Sequence, residues 1–144
     1  MSAYSTNETQ FKDRDLLVKA LVECGFTADK VELHNTAQQL IDYRGQATTY
    51  TDVNGDKAEV IIRRKFVGGA ANDIGFKRGT NGNFSAIISQ YDRGCGYNQA
   101  WLGKLSAAYA RNAIMQKAAK QGLRFAGTTK KDGKTQLAFV RIGA

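Results

Sequence analysis

Apolar positions along this 144-residue chain recur with two different periods, and the switches between them mark out its elements. Over residues 13–24, Leu17, Ala20, Leu21 and Cys24 fall at helical spacing. Asp13 stands where an N-cap would accept from the free N–H groups of the first turn, and Gly25 where the helix would stop. A second helix is predicted from about Asn98 to Gln121, with Trp101, Leu105, Ala108, Asn112, Met115 and Ala119 near one face and Gly122 as its stop. Elsewhere the period is close to two. Three dipeptides, Asn54-Gly55, Asn81-Gly82 and Asp132-Gly133, signal tight hairpins, because a two-residue type I′ turn needs positive φ at both central positions. The predicted pairs are Ala47–Val53 with Ala58–Phe66, Asp73–Arg78 with Asn83–Tyr91, and Leu123–Thr129 with Thr135–Ile142. Tyr4–Lys12 alternates weakly and reads as another strand. Val31–Tyr43 admits two readings, a short strand at Val31-Glu32-Leu33 and a turn of helix over Ala37–Ile41.

Strands joined by tight hairpins are antiparallel, and a layer of two helices can cover one face of the sheet they make. The expected class is therefore α+β, an antiparallel sheet of hairpins with two helices packed on one face. A composition of 42% apolar and 24% charged residues suits a globular chain, and nothing resembling a linker interrupts it, so a single domain over residues 1–144 is expected. No run approaches the roughly eighteen apolar residues that cross a bilayer. Met1-Ser2-Ala3-Tyr4-Ser5 lacks a basic segment followed by an apolar one, which points away from secretion and towards the cytoplasm or a plastid stroma.

Charge changes the picture more than composition does. Residues 1–72 carry nine Lys/Arg against ten Asp/Glu, whereas residues 73–144 carry twelve against three, so the net +8 belongs to the second half. Such a half-chain generates a positive field that attracts polyanions before any specific contact forms. Tyr91 and Tyr97, with Phe76 and Phe84, are candidates for stacking on bases, although aromatics at strand spacing more often build a core. Arg63-Arg64-Lys65 adds a second basic cluster, read here as the end of a strand with Arg63 and Lys65 on one side and Arg64 on the other. Trp101 reads as a packing residue.

Candidate chemistry is sparse. Gly68-Gly69 and Gly94-Cys95-Gly96 match neither a Walker A nor a GxGxxG pattern and read as turns. One His and two Cys cannot supply a four-ligand zinc site, and His34 reads as an ordinary histidine. Cys24 lies on the apolar stripe of the first helix. Cys95, in a glycine-rich loop beside Arg93, has surroundings that could lower a thiol pKa, and an enzyme using it would be alkylated quickly near neutral pH. The expectation is a protein that is not an enzyme and holds no metal or small-molecule cofactor.

Several segments carry a resemblance. Met1-Ser2-Ala3-Tyr4-Ser5, Asp15-Leu16-Leu17-Val18-Lys19-Ala20-Leu21 with Gly25-Phe26, Asp73-Ile74-Gly75-Phe76, Leu105-Ser106-Ala107-Ala108-Tyr109-Ala110, Gln121-Gly122-Leu123-Arg124-Phe125 and Asp132-Gly133-Lys134 resemble the hypothetical chloroplast reading frame 35 family of plastids, cyanobacteria and phages. The likeness is clearest over residues 73–79 and 105–140 and poor across Thr27–Gly69. It implies a soluble protein with no established activity, and the proximity of such genes to those of AAA-type ATPases implies an adaptor role.

The reading that follows is a basic binding protein that engages nucleic acid through its phosphates, with little sequence specificity. The residues expected to do so are Lys77, Arg78, Lys104, Arg111, Lys130, Lys131, Lys134 and Arg141. Six phosphate contacts would give a log–log salt slope on the order of −5 on duplex DNA. The alternative is an adaptor docking on an acidic protein surface, such as an AAA-type ATPase or a photosynthetic complex, with electrostatics setting the on-rate and an apolar centre the affinity.

Overall fold

The computed structural model describes the backbone of residues 4–8 and, in full, residues 10–49 and 51–142. Its chain falls into two compact units, residues 1–109 and 110–144. The fold is α+β.

In the first unit five antiparallel strands form one sheet in the order β1-β5-β4-β3-β2. They are β1 (Tyr4–Glu8), β2 (Val31–Gln39), β3 (Lys57–Ile62), β4 (Ile74–Arg78) and β5 (Phe84–Ser89). Helix α1 (Arg14–Glu23) follows β1, and α4 (Gln99–Lys120) begins in this unit and runs past its boundary. Two short helices, α2 (Arg64–Val67) and α3 (Gln90–Gly94), follow β3 and β5.

The ends of α1 are those the sequence predicts. The Asp13 carboxylate accepts from the N–H groups of Asp15 (2.8 Å) and Leu16 (3.1 Å), and Phe26 N–H closes the far end on the Leu21 carbonyl (3.0 Å). At the start of α4, Asn98 Oδ1 accepts from Trp101 N–H at 3.1 Å. Leu17, Ala20 and Leu21 of α1 and Leu102, Leu105 and Ala108 of α4 bury against Val60, Ile62, Ile74, Phe76, Phe84, Ala86 and Ile88 on one sheet face. Each large side chain fully buried in this way contributes about 1.5–3 kcal/mol. Helix α1 and the part of α4 within this unit cover a single face. Tyr109 pins them together: its ring lies 4.9 Å from that of Phe11, and its hydroxyl oxygen accepts from the N–H groups of Lys12 (3.0 Å) and Asp13 (2.9 Å).

The opposite face has a smaller core of Leu40, Ala58, Ile61 and Ile87. Gly75 sits in its middle. A Cβ there would lie 2.8 Å from Ala58 Cβ and 2.9 Å from Leu40 Cδ2, so only glycine lets β4 lie under these side chains.

Several element boundaries differ from the sequence reading. Val31–Tyr43 resolves into one long strand to Gln39, with no helical turn at Ala37. The proposed Ala47–Val53 strand is absent among its described residues; Tyr50, within it, lies outside them. Instead β3 pairs with β2 and β4, and the segment folds back as a loop around Asp56. The fully buried Asp56 carboxylate accepts from Thr51 N–H at 2.6 Å, from Asp52 N–H at 3.0 Å and from the Thr51 hydroxyl. Backbone satisfaction by one buried carboxylate replaces a ladder. The predicted strand over Ala58–Phe66 ends at Ile62, where Arg63-Arg64-Lys65 turn into α2. Tyr91 belongs to α3, not to β5, because Ser89 caps that helix: its Oγ accepts from Asp92 N–H (3.0 Å) and donates to the Asp92 carboxylate (2.7 Å). The predicted β4–β5 hairpin forms, but its turn is longer than two residues, with Gly79 N–H bonded to Asn83 O at 2.8 Å. No helix among the described residues is long and apolar enough to cross a membrane.

The second unit contains the later part of α4 and a separate antiparallel ribbon, β6 (Leu123–Lys131) with β7 (Lys134–Arg141). Its turn is the type I′ that Asp132-Gly133 predicts, with φ of 53° and 76° at the two central residues.

Candidate nucleic-acid interface

The second unit holds Arg111, Lys117, Lys120, Arg124, Lys130, Lys131, Lys134 and Arg141 against Asp132 alone. That is a net +7 in 35 residues, while residues 1–109 carry the remaining +1 of the +8 total. The charge asymmetry seen in the sequence at residue 72 thus follows the small unit rather than the whole second half.

The ribbon's register sorts its side chains onto two faces, since directly opposed residues project the same way. Phe125 faces Phe139, Thr128 faces Leu137 and Lys130 faces Thr135, with Leu123 opposite Arg141 at the base. This face carries Leu123, Phe125, Leu137 and Phe139, with Lys130 at the tip and Arg141 at the base. The Phe125 and Phe139 rings meet edge to face, centroids 5.9 Å apart. The other face carries Arg124 opposite Val140, Gly127 opposite Ala138, Thr129 opposite Gln136 and Lys131 opposite Lys134. A bulge between Phe125 and Gly127 keeps the two faces in register on both strands. Lys130, Lys131, Lys134 and Arg141 are all exposed.

A two-stranded ribbon has strands about 4.8 Å apart and rises about 3.3 Å per residue. It is narrow enough for the roughly 12 Å major groove of duplex DNA. Its three tip lysines surround a turn whose backbone is fixed in shape by the left-handed Asp132 and Gly133.

The other predicted site residues are placed differently. Arg111 is half-buried and already engaged within the protein. Lys77, Arg78 and Lys104 lie in the first unit and are exposed. Arg78 is committed to the β4–β5 turn: its guanidinium stacks 4.1 Å from the Phe84 ring centroid and donates to the carbonyls of Lys12 (2.9 Å) and Gly82 (2.7 Å). Lys77 lines a hollow of about 230 Å³ with Thr51, Gly79 and Ser85. Phe76 and Phe84 are fully buried in the core and offer no stacking face. Tyr97 packs edge-on against Trp101 at 5.2 Å, and Trp101 is itself part of the α4 packing, as the sequence predicts. Tyr91 remains exposed; a hydrogen bond with Cys95 and the nearby thiol charge push its hydroxyl above the ordinary tyrosine range. His34 is held by Glu32 at 2.9 Å.

Arg124 is the residue that sequence reasoning passed over. Alternation alone would set Arg124 and Lys131 on opposite sides; the bulge between Phe125 and Gly127, which the predicted pairing did not contain, brings them onto one side.

These features define an α+β protein with a five-stranded sheet and a separate basic ribbon. The chain belongs to the family described as Protein of unknown function (DUF1257), whose profile matches residues 25–138. No curated protein and no solved structure matches it.

Proposed function

We propose that the protein binds nucleic acid through the phosphate backbone, with the β6–β7 ribbon as the contacting element. The observation that carries this is the +7 charge of a 35-residue unit whose lysines ring an exposed type I′ turn. Lys130, Lys131 and Lys134 contact phosphates at the tip, and Arg124 extends the contact along one face. Lys77, Arg78, Lys104, Arg111 and Arg141, also named from the sequence, are secondary to this set. Phosphate contacts carry no base information, so binding is weakly specific and strongly salt-dependent. Within the family, the chain reads as a hypothetical chloroplast reading frame 35 protein of the cytoplasm or plastid stroma that does no chemistry itself.

The test is RNA and duplex-DNA affinity measured from about 50 to 300 mM salt, for the native protein and for the K131E/K134E double variant. Affinity should fall steeply with salt, and the variant should flatten the log–log slope by about 2. A response that is undetectable, or insensitive to salt, overturns the proposal.

A second reading has one observation in its favour. Phe125 on one face of the ribbon and Val140 on the other are each 39% exposed and Ile142 56%, apolar side chains beside the cations such as an adaptor would use on an acidic protein partner. A partner retained after nuclease treatment would favour it.

A further inference from the structure

Far from the ribbon in sequence, the first unit contains a cleft of about 770 Å³ lined by Gln38, Ile41, Arg63, Arg64, Lys65, Gly68, Gly69 and Asp73 among others. Its volume falls within the range of small-molecule sites. We infer that this cleft binds a free phosphorylated small molecule, held through its phosphate by Arg64 and Lys65.

The floor of the cleft is fixed by Asp73, only 1% of whose side chain is exposed. One oxygen accepts from Ile41 N–H (2.7 Å) and from Arg63 Nη1 (2.8 Å), and the other from Arg64 N–H (2.7 Å). Arg63 also donates to Glu32 (2.9 Å) and to the Gln39 carbonyl (3.0 Å). Both acids are therefore spent on Arg63 and on the backbone, and what they hold is the geometry of the next two residues.

Those two residues are cations without acids. Among the described residues neither Arg64 nor Lys65 has a carboxylate within ion-pair reach; Arg64 reaches only the Tyr43 carbonyl, at 3.3 Å. Lys65 lies over the Phe66 ring at 4.9 Å, and Lys30 lies over the same ring at 5.7 Å. Arg64 and Lys65 both line the cleft, and a guanidinium and an ammonium suit a doubly charged phosphate, the first by its planar fork and the second as a point charge. Gly68 and Gly69 leave the wall without side chains: a Cβ at Gly69 would meet no atom within 4 Å. Ile41 supplies an apolar patch for the remainder of the ligand.

The experiment is isothermal titration of the full chain with ADP and with inorganic pyrophosphate at fixed salt. The native protein should show saturable one-site binding. R64E/K65E should weaken it by about tenfold or more, as loss of a charge-assisted contact implies. G69L, which places a side chain where the structure has open space, should weaken it as well. K131E/K134E should leave it unchanged, which separates this site from the ribbon and keeps its fate independent of nucleic-acid binding. Absence of saturable binding, indifference to R64E/K65E, or an equal loss in K131E/K134E would each refute the assignment. Far-ultraviolet circular dichroism confirms that each variant is folded, and if R64E/K65E is not, R64Q with G69L decides.

Discussion

Gly75 shows how tightly single positions are set in the first unit. It lies in the Asp73-Ile74-Gly75-Phe76 segment that carries much of the sequence resemblance, and three members of that segment have a distinct structural task. Asp73 locks two backbone amides and Arg63, Phe76 is fully buried, and Gly75 admits Leu40 and Ala58 over β4. These are reasons of packing, with no chemistry in them. Gly75→Val forces atoms into space already filled from the other side of the sheet, and overpacking of this kind costs about 1–3 kcal/mol. Urea unfolding should show a lower midpoint with an unchanged slope; a midpoint equal to that of the native protein would contradict the close approach.

Among the elements, α3 is held by a buried polar latch. Asp92 accepts from Ser89 Oγ and from the backbone and side-chain nitrogens of Asn72, at 3.1 and 3.3 Å, and is itself wholly buried. Burial pushes its carboxyl above the ordinary aspartate range; the bonds from Ser89 and Asn72 pull it back in part, and the charge of Asp73 adds to the rise. A carboxyl whose folded pKa is raised favours the folded state when protonated, and that contribution is lost as pH climbs from its unfolded pKa through its folded one. Glu32 has the opposite sign. The hydrogen bond from Arg63 holds its carboxyl below the ordinary range despite some burial, so its contribution is present above the unfolded pKa and disappears as pH falls through the folded value. Asp92→Asn removes only the first effect. The stability of this variant relative to the native protein should therefore improve as pH rises above the ordinary aspartate pKa of about 4, read as the difference in urea midpoints. A difference that stays constant with pH would mean that Asp92 titrates as an exposed acid does.

This latch also marks where the sequence was hard to read. Both long helices could be placed within a residue or so because their caps are local: Asp13 and Asn98 each bond to amides a few positions ahead. The Asp132-Gly133 turn was equally legible, since its two left-handed residues are adjacent. By contrast, the loop before β3 is decided by Asp56, and the end of β3 by Arg63 meeting Glu32 and Asp73 from 31 positions before and 10 after. Alternation carries no information about such partners. The Arg63-Arg64-Lys65 cluster was visible, but the cleft it lines was not, because the strand reading sent its side chains to opposite sides. The ribbon cations were legible both as charges and as a hairpin.

Across the whole molecule, the two units differ in what holds them. The first has a continuous apolar core, whereas the ribbon of the second is mostly exposed and has the size of a hairpin that is marginal in isolation. Among the described residues neither β6 nor β7 has another strand on its outer side, so both flanks offer unpaired amides and carbonyls to any passing strand. Mutual repulsion among the lysines and arginines of two copies opposes such pairing. Shielding that repulsion should therefore favour self-association: sedimentation should find K130Q/K131Q/K134Q forming larger species at concentrations where the native chain does not, and equal sedimentation of the two would show that the flanks are guarded in another way. Charge on this hairpin would thus act twice, as a lure for a partner and as a fence against its own kind, and any modification that erased it would exchange binding for aggregation.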